Sequence, residues 1–147
     1  MDNGQSANRQ DPNRQSSKNR SMRMIQIKSY SLEEVFSAMG NRGRLSDGVT
    51  FRPNSPRMQL FLTKGVACVT CDIKGKIFIL ETHDIAIRPH LNLYAENDNG
   101  ELVLMTKDHI LPKSRGGANH LDNYQTMCTN CNRIKRNTIE DDNASNC

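Results

Sequence analysis

Four cysteines stand in two matched pairs, Cys68-Val69-Thr70-Cys71 and Cys128-Thr129-Asn130-Cys131. A C-x-x-C bend turns two sulfurs to one side of the backbone, and two such bends supply the ligand set of a tetrahedral zinc. Four thiolates complete the coordination shell, so an ion held this way is structural and leaves no position for substrate. Between the pairs lies Asp108-His109. An imidazole titrates at about pH 6.5 and takes a proton from water at neutral pH. A carboxylate beside it is a ligand for a hard cation. Alone, an Asp-His dipeptide more often caps or solvates, so its meaning comes from its surroundings.

The elements that would position these groups follow from periodicity and punctuation. Met24 to Ile27 alternates apolar and polar and predicts a short strand. Ser31-Leu32-Glu33-Glu34 is a capping box, predicting a helix through Met39 that Gly40 ends. Asn41 to Gly48 reads as loop. Ser55-Pro56 starts a second helix that Gly65 stops before the first knuckle. Ile77 to Leu80 is a strand candidate. Leu91 to Ala95 and Leu102 to Met105 flank Asn97-Asp98-Asn99-Gly100, a hairpin signal. The second of these strands runs into Asp108-His109. Adjacent strand residues point to opposite faces, so both reach one site only where the strand ends or bulges, as the break into Ile110-Leu111-Pro112 permits. A short helix is expected over Asn132 to Arg136. Asp72 follows the first knuckle where a left-handed residue is common, and Asp tolerates that better than most.

Composition sets the frame. The chain has 147 residues, 35% hydrophobic and 5% aromatic, with no Trp. That is a thin supply for a core, and a metal is a common staple for small domains of this kind. The net charge of +4 and pI near 8.9 suit a nucleic-acid partner. Five cysteines leave Cys147 unpaired, which speaks against a disulfide framework. Met1 to Gln5 is polar with no secretory apolar run, and no segment approaches membrane-spanning length. The expectation is a cytoplasmic chain with reduced thiols. Residues 1–22 read as a disordered polar tail, 23–63 as an N-terminal extension, 64–138 as the main domain and 139–147 as a frayed tail.

The stretch Asp108-His109-Ile110, Pro112 to Gly117, Leu121-Asp122-Asn123 and Cys128-x-x-Cys131-Asn132-x-x-Lys135 resembles the HNH endonuclease family over roughly residues 64–138. More loosely, the chain is similar to small HNH proteins of phages and mobile elements, which would place it in a bacterial host cytoplasm. The resemblance implies an α+β fold: a ββα-metal (His-Me finger) core stapled by a four-Cys zinc on Cys68, Cys71, Cys128 and Cys131, with a small α/β N-terminal extension. It implies that His109 is the general base. Asp108 and Asn132 would hold a catalytic Mg²⁺ or Mn²⁺, and Asn123 would brace the loop and help orient the His. Asn132 stands where the family has His or Asn, and its carbonyl oxygen suits Mg²⁺ better than a borderline metal.

Lys113, Arg115, Arg133, Lys135 and Arg136, with Lys107, form a basic cluster around the same unit, expected to neutralise phosphates. Gly116-Gly117 reads as a flexible loop that lets backbone approach a duplex. The expected activity is cleavage of double-stranded DNA, with a homodimer if both strands are cut. A non-catalytic zinc-ribbon binder of nucleic acid and an RNA-directed nuclease are the alternatives. His83, His90 and His120 have no ligand-like partner at useful spacing.

Overall fold

The computed structural model describes residues 24–84 and 88–144. The expected N-terminal tail, residues 1–22, and Cys147 lie outside them. Ten elements follow one another, and five of them are strands: β1 (Ile25–Ser31), β2 (Gly75–Thr82), β3 (His90–Glu96), β4 (Leu102–His109) and β5 (Tyr124–Cys128). The helices are α1 (Leu32–Met39), α2 (Pro56–Lys64) and α3 (Thr129–Ala144), with 3-10 turns at Lys113–Arg115 and Leu121–Asn123. The strands form one antiparallel sheet in the order β1-β2-β3-β4-β5. The fold is therefore mixed α+β.

Local chemistry accounts for most boundaries. Ser31 Oγ accepts from Glu34 N at 3.1 Å and Glu34 Oε2 accepts from Ser31 N at 2.6 Å, so the capping box opens α1. Gly40 stays right-handed; the left-handed turn falls later, at Arg42 and Gly43. Ser55 caps α2 with Pro56 in its first turn, and Gly65, at φ 94°, releases the chain. In the β3–β4 turn Gly100 takes φ 76°, while Asn97 Oδ1 accepts from the Asn99 and Glu101 amides.

The core gathers Tyr30, Val35, Leu60, Phe61, Phe78, Leu93, Met105, Tyr124 and Met127, so residues on either side of position 64 share one cluster. β4 is the hinge of the sheet. Its first residues pair with β3 (Leu102 to Leu104) and its last with β5 (Met105 to His109). The β4–β5 hairpin touches both α2 and α3. α3 starts at Thr129 and continues to Ala144, longer than the expected short helix. Cys128 explains the early start: its Sγ accepts the Cys131 N–H at 3.4 Å, as an N-cap side chain does.

Candidate metal centre and active site

The four cysteine sulfurs all lie within 4.8 Å of one another. Sulfurs at ~2.3 Å from a tetrahedral zinc would stand ~3.8 Å apart, and Cys71 Sγ and Cys128 Sγ are separated by 3.8 Å. None of the four is in a disulfide. The donor set and its spacing are consistent with a structural Zn²⁺. Backbone bonds hold the first knuckle: Cys68 N donates to Ile73 O at 2.8 Å, and Asp72 N donates to Cys68 O at 2.9 Å. Asp72 adopts φ 64°, the left-handed conformation. Val69 N then donates to Thr126 O at 3.0 Å and Thr126 Oγ1 donates to Gly65 O at 2.7 Å, tying this knuckle to the strand that carries Cys128.

The thiols are electrostatically unequal without a cation among them. Burial pushes Cys68 up, but backbone N–H groups at Cys71, Cys128 and Thr70 pull it further down, to about 6. For Cys128 and Cys131 burial pushes the thiol up, and the sulfurs of Cys71 and Cys68 add to that. One thiolate discourages its neighbours, a conflict that a divalent cation relieves.

Beyond the four-sulfur centre, β4 presents its last four residues to two faces. Lys107 and His109 share the face of Tyr124, the register partner of His109. The His109 ring meets the Tyr124 ring edge-on, centroids 5.1 Å apart, and Lys107 Nζ sits 4.1 Å above that ring. His109 Nε2 lies 2.9 Å from Asn119 Oδ1. An amide oxygen there makes Nε2 the donor and leaves Nδ1 as the basic nitrogen.

Thr106 and Asp108 occupy the other face, against α3. Asp108 Oδ2 accepts from Gln125 Nε2 at 2.9 Å and from Lys135 Nζ at 2.5 Å. Lys135 also donates to the His109 carbonyl at 2.7 Å. Thr106 Oγ1 donates to Met127 O at 2.7 Å, so it can only accept from Asn132, whose Nδ2 lies at 3.1 Å. That fixes the amide and leaves Asn132 Oδ1 without a bond from a described residue. An open cavity of about 360 Å³ lined by Thr106, Thr129, Asn132, Arg133 and Arg136 begins there.

Asp108 and Asn132 thus meet the same strand–helix contact, one helical turn apart through Lys135 and Asn132. The imidazole of His109 does not join them: it faces the Tyr124 side, and neither His109 nor Asp108 lines the Asn132 cavity. Lys135, expected among the phosphate contacts, is instead turned inward onto Asp108 and the His109 carbonyl. Arg133 and Arg136 are exposed at the cavity, and Lys113 and Arg115 lie on the exposed 3-10 turn.

Asn123 braces the loop between the two motif halves. Its Oδ1 accepts from Leu111 N at 2.9 Å, and its Nδ2 donates to Leu111 O at 3.1 Å and Ala118 O at 2.9 Å. The clamp fixes Ala118, hence its neighbour Asn119 and the oxygen facing His109. The two glycines here are required by backbone geometry. Gly116 takes φ 88° to end the 3-10 turn, and a Cβ on Gly117 would lie 1.9 Å from Leu111 O. Sequence reasoning missed Asn119, Thr106 and Gln125, polar residues whose importance depends on pairing register.

β4, the clamped loop, β5 and α3 form a strand–loop–strand–helix unit, held by Asn123 and closed by the four-sulfur centre. Residues 96–146 match the sequence model of the HNH endonuclease family. No curated protein and no solved structure matches the chain. Among the described residues, no helix is long and apolar enough to cross a membrane.

Proposed function

We propose that the chain is a divalent-metal-dependent endonuclease that hydrolyses DNA phosphodiester bonds. The observation that carries this reading is that the family match falls on β4, β5 and α3 and includes Asp108, His109, Asn123 and Asn132. These three elements read as the ββα-metal core. His109 Nδ1 takes the proton of water, the resulting hydroxide attacks phosphorus, and the P–O3′ bond breaks. The products are a 5′-phosphate and a 3′-hydroxyl that regains a proton from solvent.

The hard-oxygen donors Asp108 Oδ1 and Asn132 Oδ1 fit Mg²⁺ or Mn²⁺. The Lys135 ammonium occupies the Asp108 carboxylate at 2.5 Å. When bound, the metal would polarise the scissile phosphate and stabilise the leaving oxygen. Asp108 would exchange Lys135 for the ion, and Arg133 and Arg136 would neutralise flanking phosphates.

A second reading is favoured by the Lys135–Asp108 pair and the separate facing of His109: a zinc module that binds nucleic acid without cutting it. Incubating zinc-loaded protein with supercoiled plasmid, with and without added Mg²⁺ or Mn²⁺, separates the two. The nuclease reading expects nicked or linear plasmid only with added metal. Intact plasmid in both arms, together with retained binding, supports the binder. The same assay on RNA tests the substrate class.

A further inference from the structure

A basic cavity of about 370 Å³ opens at the start of α2, outside the family-matched segment. Arg52, Arg57, Arg88 and His90 line it, and no Asp or Glu is among the described residues around it. None of these arginines is in an ion pair among the described residues. Arg52 and Arg88 are exposed, whereas Arg57 is partly buried and fixed. Its guanidinium donates to Asn92 Oδ1 at 2.8 Å and to the Leu91 carbonyl at 2.5 Å.

Both partners of Arg57 are neutral. The Glu81 carboxylate makes no direct hydrogen bond to Arg57: Asn92 stands between, donating to Glu81 Oε1 at 2.7 Å, and Glu81 acts on Arg57 through its charge. Burial lowers the Arg57 pKa, the mark of a cation short of solvent. An arginine has five N–H donors, so its two bonds leave the fork with unused capacity. A desolvated guanidinium with spare donors, beside two exposed arginines and the N-terminal end of a helix, is chemistry for an oxyanion.

The position of the cavity selects among oxyanions. α2 has 9 residues and is about 13 Å long. At its far end Lys64 donates to the Tyr124 carbonyl at 2.7 Å, and the Tyr124 ring touches His109. A duplex that reaches both ends of α2 would cover about four base-pair rises of B-DNA along it.

We infer that the Arg52–Arg57–Arg88 cavity is a second binding site, taking a backbone phosphate of the nucleic acid at the end of α2 opposite the Lys64–Tyr124 contact. The inference rests on the proposed nucleic-acid reading. It gives the N-terminal part of the chain a role in anchoring and register rather than in bond cleavage.

The test is duplex binding by R52A/R88A, whose substituted side chains are both exposed, using a short fluorescent DNA duplex without added Mg²⁺. At fixed salt the dissociation constant should rise on the order of 10-fold, and the salt-dependence slope should become shallower by about 1.8, the value for two lost phosphate contacts. K76A, which removes a lysine already paired with Glu96, should leave the slope unchanged. Unchanged affinity and slope in R52A/R88A would overturn the inference, as would an equal loss in K76A. Titration with inorganic phosphate identifies a free-anion site: saturation there with no change in the DNA slope also overturns it. Plasmid cleavage by wild-type protein judges the nuclease reading separately, so either proposal can fail while the other stands.

Discussion

Lys135 and Asp108 form an ion pair of 2.5 Å between α3 and β4, and the same ammonium reaches the His109 carbonyl at 2.7 Å. The pair is largely shielded, with 24% of the Lys135 and 12% of the Asp108 side chain exposed. One lysine thus neutralises the proposed metal ligand and pins the end of the strand that bears the proposed base. Lys135→Met should lower metal-free stability by about 1–2 kcal/mol, a value reduced for residual solvent screening. It should also tighten Mn²⁺ binding, because no ammonium competes for Asp108. Thermal unfolding and Mn²⁺ titration by electron paramagnetic resonance check both. Weaker Mn²⁺ binding would contradict the assignment of Asp108.

The loop clamp predicts a separable defect. Asn123→Ala removes three hydrogen bonds from a solvent-near loop, costing about 1–3 kcal/mol. Gly117→Ala drives a methyl into the Leu111 carbonyl. Both variants should keep the zinc and the sheet but lose cleavage on the order of 100-fold, since Asn119 no longer holds His109 in one tautomer. Zinc content and circular dichroism, read beside plasmid nicking, distinguish this from unfolding.

The four-sulfur centre predicts that Cys128→Ser loses zinc and much of its folded stability together. Cys128 is both a ligand and the residue whose sulfur caps α3. Metal analysis and thermal unfolding on the same sample test it. A variant that loses zinc yet unfolds at the wild-type temperature would show that the ion is not structural.

Acid stability should report on Asp47. Its carboxylate accepts from Lys28 Nζ at 2.6 Å, Tyr30 Oη at 2.7 Å and Val49 N at 3.0 Å. These bonds, led by Lys28, hold its pKa at about 2 against an ordinary 3.8. A folded value below the unfolded one contributes stability that is fully present above pH 3.8 and is lost as pH falls through 2. Tyr30 shifts the other way, to about 12, by burial and by its bond to Asp47, so it remains the donor. Asp47→Asn should therefore flatten the acid limb of the stability curve, measured by unfolding between those pH values.

Much of this architecture was legible because its signals are local. The Ser31 and Ser55 caps, the Asn-Gly hairpin and the cysteine spacing each act within a few residues, and each appears where its chemistry predicts. β5 was not assigned, because Tyr124 to Cys128 becomes a strand only by pairing with β4. The inward turn of Lys135 was equally invisible. A lysine on a polar helix reads as solvated until the helix is laid across Asp108. A glycine pair in a polar loop suggests conformational freedom; that Gly117 is also required by a carbonyl six residues earlier is visible only in the fold. What sequence missed is what register and packing decide.

The most direct measurement is plasmid nicking by zinc-loaded wild-type protein and His109→Ala, with added Mg²⁺ and without it. The account predicts metal-dependent nicking by wild type, a loss on the order of 10³-fold in His109→Ala, and equal zinc content and DNA affinity in both. Undiminished cleavage by His109→Ala, or wild-type cleavage that persists when added divalent ions are removed and the zinc retained, would contradict it.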